Sequence, residues 1–148
     1  MQFQEENVES LMTNIILYRM QITIVNVYAT PYATLPNIVD ILENSFCNIS
    51  ISKPIIIIGD FNVNMREHNT RTKKVKDYMH SHNLHFLLDT NSYVHTSHID
   101  HVWSNITNNY KIYKLDTYWS DHDTICLIMD HVHADESQNT SKSFHICN

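Results

Sequence analysis

Four consecutive isoleucines, Ile55 to Ile58, follow Pro54 and run directly into Gly59-Asp60-Phe61-Asn62. β-Branched side chains on both faces leave such a segment no solvent side, so it must be a strand buried within a layered fold. Gly59 is the only glycine among 148 residues. Its place predicts a tight turn of the backbone at the strand's end. That turn would present Asp60 and Asn62 at the carboxyl edge of a sheet, where α/β proteins place their ligands. An Asx-type turn capping the strand exit would use the same two residues. Phe61, between them, is expected to point the other way and pack.

The flanking sequence extends the layered pattern. Ile22 to Tyr28 reads as a second strand, ending shortly before Pro31. Thr13 to Leu17, within a longer stretch from Val8, reads as its antiparallel neighbour, joined near Arg19-Met20. Pro36 suits the first turn of a helix, and Ile38, Val39, Ile41, Leu42 and Phe46 recur at helical spacing up to about Cys47. A second helix is predicted over 72–82, with Val75, Tyr78 and Met79 inward. Strand-like stretches at 84–88, 101–103, 111–116 and 125–129 complete an α/β rhythm. Beyond His131 the chain turns polar. The spacing therefore predicts one domain over 8–130 and a polar, mobile tail over 131–148.

Two further polar clusters lie beside predicted strands. Ile99-Asp100-His101 precedes Val102-Trp103, and Ser120-Asp121-His122-Asp123 precedes Thr124-Ile125-Cys126-Leu127. Taken with Asn26-Val27-Tyr28-x-x-Pro31 and Gly59-Asp60-Phe61-Asn62, the ordered set resembles the metal-dependent endonuclease/exonuclease/phosphatase superfamily. That group includes deoxyribonucleases, abasic-site endonucleases, retrotransposon endonucleases and inositol-phosphate phosphatases. One such tetrapeptide is weak; four in order, each at a strand end, are specific. The resemblance covers about Val8 to Met129 and implies the C-terminal half of a four-layer α/β sandwich.

The resemblance also implies roles. Asp60 would orient or deprotonate the attacking water, and Asn62 would hydrogen-bond the scissile phosphate. His122 would contact that phosphate and stabilise developing charge, with Asp100 orienting the imidazole. Asp121 would lie near the divalent metal, for which hard oxygen ligands imply Mg2+ or Mn2+. Tyr28 would hydrogen-bond a phosphate oxygen; a buried aromatic at a strand end is the other reading of that residue. His101 and Asp123 take no role. The superfamily's early Gln-Glu motif, whose Glu binds the metal, lies further upstream of the Tyr-bearing strand than Gln4-Glu5 does here, and Gln4-Glu5 reads as coincidence. Two functions follow: a metal-dependent phosphodiesterase weakened by that missing Glu, or a non-catalytic fragment that keeps the fold and at most binds phosphate.

Composition sets outer bounds. Hydrophobic residues make up 43% of the chain, which argues against disorder. The net charge of −6 opposes tight sequence-independent binding to nucleic acid. Half of the basic residues fall in one stretch, Arg66, Arg71, Lys73, Lys74 and Lys76, and a solvated helix face accounts for them better than a phosphate patch. Eleven histidines invite zinc, but His80 and His82 fall on different helix faces with no cysteine nearby. Cys47, Cys126 and Cys147 are an odd, dispersed set that suggests reduced thiols and an intracellular protein. No apolar run is long enough for a membrane span, and the N-terminus has no signal-peptide core. Abundant Ile and Asn suggest an AT-rich coding source, as in some mobile elements or viruses. Nucleic acid is the expected partner, with a phosphorylated small molecule or lipid head group as the other options. Ile22, Ile24, Ile56, Ile58 and 125–129 would be left wet in half a sandwich, which predicts self-association or a separately encoded first half.

Overall fold

The computed structural model describes residues 1–17, 19–50, 52–88, 98–115, 117–120, 122, 124–131 and 142–147, with only the backbone for 131 and 142–147. The chain divides into two units, Met1–Asn105 and Ile106–Asn148.

The first unit opens with β1 (Gln2–Glu5), β2 (Val8–Leu17) and β3 (Met20–Ala29), an antiparallel series. Asn7 and Arg19, at φ 65° and 68°, make the two tight turns. Asparagine tolerates this left-handed conformation better than most residues. The β2–β3 pair is the one expected from the sequence, longer at its ends. β1 was not expected: only Phe3 is apolar in Gln2-Phe3-Gln4-Glu5, and it packs against the core.

Helix α1 (Leu35–Phe46) crosses over to β4 (Ile55–Asp60), which runs parallel to β3. A crossover of this kind is what a parallel pair requires. Thr34 caps α1 in a reciprocal box with Asn37, and Pro36 lies in the first turn, where a missing N–H costs nothing. Helix α2 (Thr70–Ser81) begins two residues earlier than its hydrophobic spacing predicts. Asn69 caps it, with its side-chain oxygen accepting from the Thr72 amide at 2.9 Å. The two-residue strand β5 (His85–Phe86) and β6 (Asp100–Ser104) complete a six-stranded sheet in the order β1-β2-β3-β4-β6-β5. The expected strand over 84–88 is thus shorter than its apolar run.

Alternation along the strands sorts the two faces. Val25, Val27, Ile55, Ile57 and Trp103 join Ile38, Ile41 and Leu42 of α1 and Val75 and Met79 of α2 in one buried cluster. The opposite face carries Ile22, Ile56, Ile58 and Val102, also buried, and turns polar toward Asn26, Tyr28, Asp60 and Asp100. Of the residues expected to be left wet, Ile22, Ile56 and Ile58 are at most 2% exposed and Ile24 is half-buried. The four isoleucines are indeed buried on both faces.

Gly59 corrects one expectation. It does not turn the chain; it lies inside β4, opposite Val27 on one side and His101 on the other. Its φ is +143°, and a Cβ there would stand 1.9 Å from the Val27 carbonyl oxygen. Close approach of β3, not a turn, therefore demands glycine. The turn comes three residues later, at Asn62 with φ 47°.

The second unit holds β7 (Tyr110–Leu115), β8 (Thr124–His131) and β9 (Lys142–Cys147) in an antiparallel sheet with β8 at its centre. Ile125, Leu127 and Met129 of β8 are buried, although these too were expected to be wet. β9 falls in the stretch that composition predicts as a polar tail. Its apolar Phe144 and Ile146 alternate with Ser143 and His145, a strand period that the acidic, Ser-rich residues before it obscure.

Candidate active site

One register row crosses the carboxyl edge of the large sheet. Glu9 is the Cα partner of Tyr28, Tyr28 of Asp60, and Asp60 of Asp100. Partnered positions share a face, so four polar side chains from β2, β3, β4 and β6 stand side by side. β6 is antiparallel to β4, which is why its first residue, Asp100, meets the last residue of β4. Asp60 and Asp100 each place a carboxylate oxygen within 4.8 Å of the other's.

The loop after β4 shapes this edge. The Asn62 amide N–H donates to Asp60 Oδ1 at 2.8 Å, and Asn62 Nδ2 donates to Asp60 Oδ2 at 3.1 Å and to the Ala29 carbonyl at 2.6 Å. The Asx-type turn is therefore present, and it fixes the Asp60 carboxylate rather than competing with its exposure. Both Asp60 and Asn62 are half-buried. Phe61 points to the opposite face and is fully buried, as expected. The loop is stitched to the approach of β6: the Phe61 and Met65 amides donate to the Ile99 and His98 carbonyls, at 2.9 and 3.0 Å. Asn64 Oδ1 accepts from the His98 amide at 3.1 Å.

Tyr28 is 52% exposed, so of its two readings the buried aromatic fails and the ring is accessible beside Asp60. It lines a shallow groove of 280 Å³ with Gln2, Glu9, Ser10, Leu11 and Asn26. Glu9, which no motif singles out, accepts a hydrogen bond from Gln4 Nε2 at 3.3 Å. Its place beside Tyr28 follows from the strand register.

His122 belongs to the second unit. Its amide donates to Ser120 Oγ at 3.0 Å, and its carbonyl accepts from the Thr117 hydroxyl, which tightens the turn before β8. Asp121, the expected metal neighbour, and Asp123 lie outside the described residues.

His101 follows Asp100 but points to the helix-covered face, where it is completely buried. Its Nε2 donates to the Val63 carbonyl at 2.7 Å, and its Nδ1 accepts from Trp103 Nε1 at 3.3 Å. Burial pushes its pKa down to about 4, so the ring is neutral near pH 7. Other histidines are packing groups too: His82 stacks on Phe46 with centroids 4.6 Å apart. His95 of the second His-rich run lies outside the described residues.

The basic stretch divides in the same way. Arg71 Nη2 donates to the Ala33 carbonyl at 2.8 Å and Lys76 Nζ to the Met65 carbonyl at 3.4 Å, while Lys73 and Lys74 are exposed. Cys47 is an exposed free thiol. Among the described residues no helix is long and apolar enough to cross a membrane.

The family model described as endonuclease-reverse transcriptase matches residues 22–126. No curated protein sequence is significantly similar to this chain. Among solved structures, the endonuclease domain of TRAS1, a telomere-specific non-LTR retrotransposon, aligns with a TM-score of 0.68 at 16% identity. That alignment covers 83% of this chain and 63% of the TRAS1 domain, and at this identity it shows a shared fold. The human Nocturnin catalytic domain with bound sulfate anion aligns with a TM-score of 0.41 at 14% identity, over 80% of this chain and 44% of that one. The chain thus spans less than two thirds of either structure. Its mixed α/β architecture, with a large sheet and few helices, is that of the deoxyribonuclease-like fold.

Proposed function

The chain belongs to the endonuclease-reverse transcriptase family, within the endonuclease/exonuclease/phosphatase superfamily, and from that premise we propose that it is a divalent-metal-dependent phosphodiesterase of endonuclease type acting on nucleic acid. The observation that carries this reading is the pair of carboxylates, Asp60 and Asp100, brought within 4.8 Å at one sheet edge. Two hard oxygen donors at that spacing fit Mg2+ or Mn2+, and Asp121 is the third carboxylate we assign to the metal. When bound, the cation would neutralise phosphate charge and supply a water that is more readily deprotonated.

The chain's own groups divide the remaining work. Asp60, held by the two donors of Asn62, accepts a proton from the attacking water and aims its oxygen at phosphorus. Asp100 orients the His122 imidazole, which donates to a phosphate oxygen as negative charge grows there. The Tyr28 hydroxyl donates to a second phosphate oxygen. Asn62 Nδ2, which already serves Ala29 and Asp60, reaches the phosphate by exchanging one of those bonds. The P–O bond opposite the attack breaks, and the leaving oxygen takes up a proton.

On the same reading, residues 8–130 form the C-terminal part of the superfamily's four-layer sandwich. The metal-binding Glu of its Gln-Glu motif has no counterpart among them, so cleavage by this chain alone is expected to be weak. Nicking of supercoiled plasmid in Mn2+ or Mg2+ tests the proposal, with Asp60→Asn and EDTA as controls. Slow, metal-dependent nicking that Asp60→Asn abolishes supports it. No nicking together with no Mn2+ binding overturns it in favour of a non-catalytic fragment.

A further inference from the structure

The geometry points to His101 as the positioning residue of this site: a buried clamp that holds the Asp60–Asn62 turn in register with Asp100 from the far side of the sheet. The inference rests on the phosphodiesterase reading for its functional meaning, although the clamp itself is a matter of structure.

Four contacts define it, the last two taken together. First, the imidazole lies flat on Phe61, with ring centroids 4.5 Å apart and planes at 10°. Phe61 is the residue between Asp60 and Asn62, so fixing its ring fixes the backbone that carries both. Second, Nε2–H donates to the carbonyl of Val63, the residue that follows Asn62, at 2.7 Å. The turn is thereby tied down on either side of Asn62. Third, Nδ1 accepts from the Trp103 indole at 3.3 Å, and Phe86 meets the imidazole edge-on at 5.5 Å and 88°. Indole N–H is donor only, so this bond demands an unprotonated Nδ1 and leaves the proton on Nε2, where Val63 needs it.

The position of His101 in the chain completes the argument. Asp100 and His101 are neighbours in β6, and successive side chains point to opposite faces. One backbone step therefore joins the Asp100 carboxylate to the clamp on the Asp60 turn. Asn62 sits at φ 47°, a turn conformation that asparagine tolerates, and the contacts to Phe61 and Val63 fix it from either side. An apolar ring would fill the same space and stack on Phe61, but it could hold neither Val63 nor Trp103. Both partners are buried, and a buried polar group left without a partner is costly.

The test uses two substitutions in the full chain. His101→Phe keeps the ring and loses both hydrogen bonds; His101→Gln keeps a donor and an acceptor and loses the ring. In His101→Phe, amide hydrogen exchange at Phe61 and Asn62 is expected to rise about tenfold, the response to one lost buried hydrogen bond, while amides of β3 stay protected. His101→Gln should restore most of that protection. Where cleavage is measurable, His101→Phe should lower kcat and leave KM unchanged, and His101→Gln should recover it. ¹⁵N spectra of the wild type should show His101 protonated at Nε2 and not at Nδ1. Exchange needs no turnover, so the clamp can be judged even if the chain proves inactive. Unchanged exchange at Phe61 and Asn62 in His101→Phe overturns the inference. So does an equal rise throughout the sheet, which would make His101 an ordinary core residue.

Discussion

Asp60 and Asp100 are Cα partners across the antiparallel β4–β6 pair, with carboxylate oxygens within 4.8 Å of each other. Two carboxylates at that spacing, half-buried at a sheet edge, offer hard oxygen donors suited to a divalent cation. Mn2+ should therefore bind the chain, and Asp60→Asn and Asp100→Asn should each weaken it by about tenfold or more, since even indirect changes around a metal have effects of that size. Titration followed by the electron spin resonance of free Mn2+ measures this directly. Affinity unchanged in both variants would place the metal elsewhere.

Gly59→Ala should be severely destabilising. The added Cβ would stand 1.9 Å from the Val27 carbonyl oxygen, and φ +143° is a conformation that L side chains rarely adopt. β3 and β4 would have to separate at the centre of the sheet. We expect a loss of roughly 3 kcal/mol or more, beyond ordinary overpacking, in urea unfolding. A loss below about 1 kcal/mol would show that the strands yield easily.

Acid should destabilise the fold through His101. Its pKa is pushed down by burial to about 4, below the ordinary histidine value near 6.5. Between those two values the unfolded chain binds a proton there that the folded chain refuses. Stability from this group is therefore complete above about pH 6.5 and is lost progressively as pH falls to about 4. Replacing the imidazole should remove that slope. Melting curves of wild type and His101→Gln across this window measure it, and parallel pH profiles would contradict the assignment.

How much of this was legible in the sequence differs by residue. The buried Ile55–Ile58 strand and the outward placement of Asp60 followed from side-chain chemistry and were found. The role of Gly59 was not, because a glycine needed for close strand approach and one needed for a turn look alike in sequence. Only the register with Val27 separates them. β1 and β9 were missed because edge strands can be mostly polar, so their hydrophobic signal is faint. His101 has no role legible in the sequence, since its contacts with Phe61 and Val63 join segments distant in the chain. Asp100 was identified by motif, but its apposition to Asp60 depends on β6 running antiparallel to β4.

Asn62→Gly should separate catalysis from folding. Asn62 has φ 47°, which glycine adopts without strain and alanine does not. Glycine keeps the turn but removes the Nδ2 bonds to Asp60 and Ala29. The melting temperature should fall only slightly, while any metal-dependent cleavage should fall by about a hundredfold, as when one transition-state hydrogen-bond donor is removed. Asn62→Ala should lose both activity and stability. Equal activity in Asn62→Gly and wild type would remove Asn62 from the site.

His122 supplies the decisive test of the proposed mechanism, because its role demands that it act on the same phosphate as Asp60. If the ring belongs to that site, Mn2+ added below one equivalent should broaden its NMR signals along with those of Asp60 and Asp100, all within about 12 Å of a shared ion. His122→Ala should then lower kcat by about 10²–10⁴, the usual share of a positioned acid or base. Mn2+ affinity should fall less than in Asp60→Asn, because the imidazole is assigned to the phosphate and reaches the metal only through Asp100. The pattern is specific: Asp60→Asn loses metal and rate together, whereas His122→Ala loses mainly rate. Ring signals untouched by Mn2+ while those of Asp60 vanish would separate His122 from the carboxylates. The phosphate would then be left with Tyr28 and Asn62 as its donors.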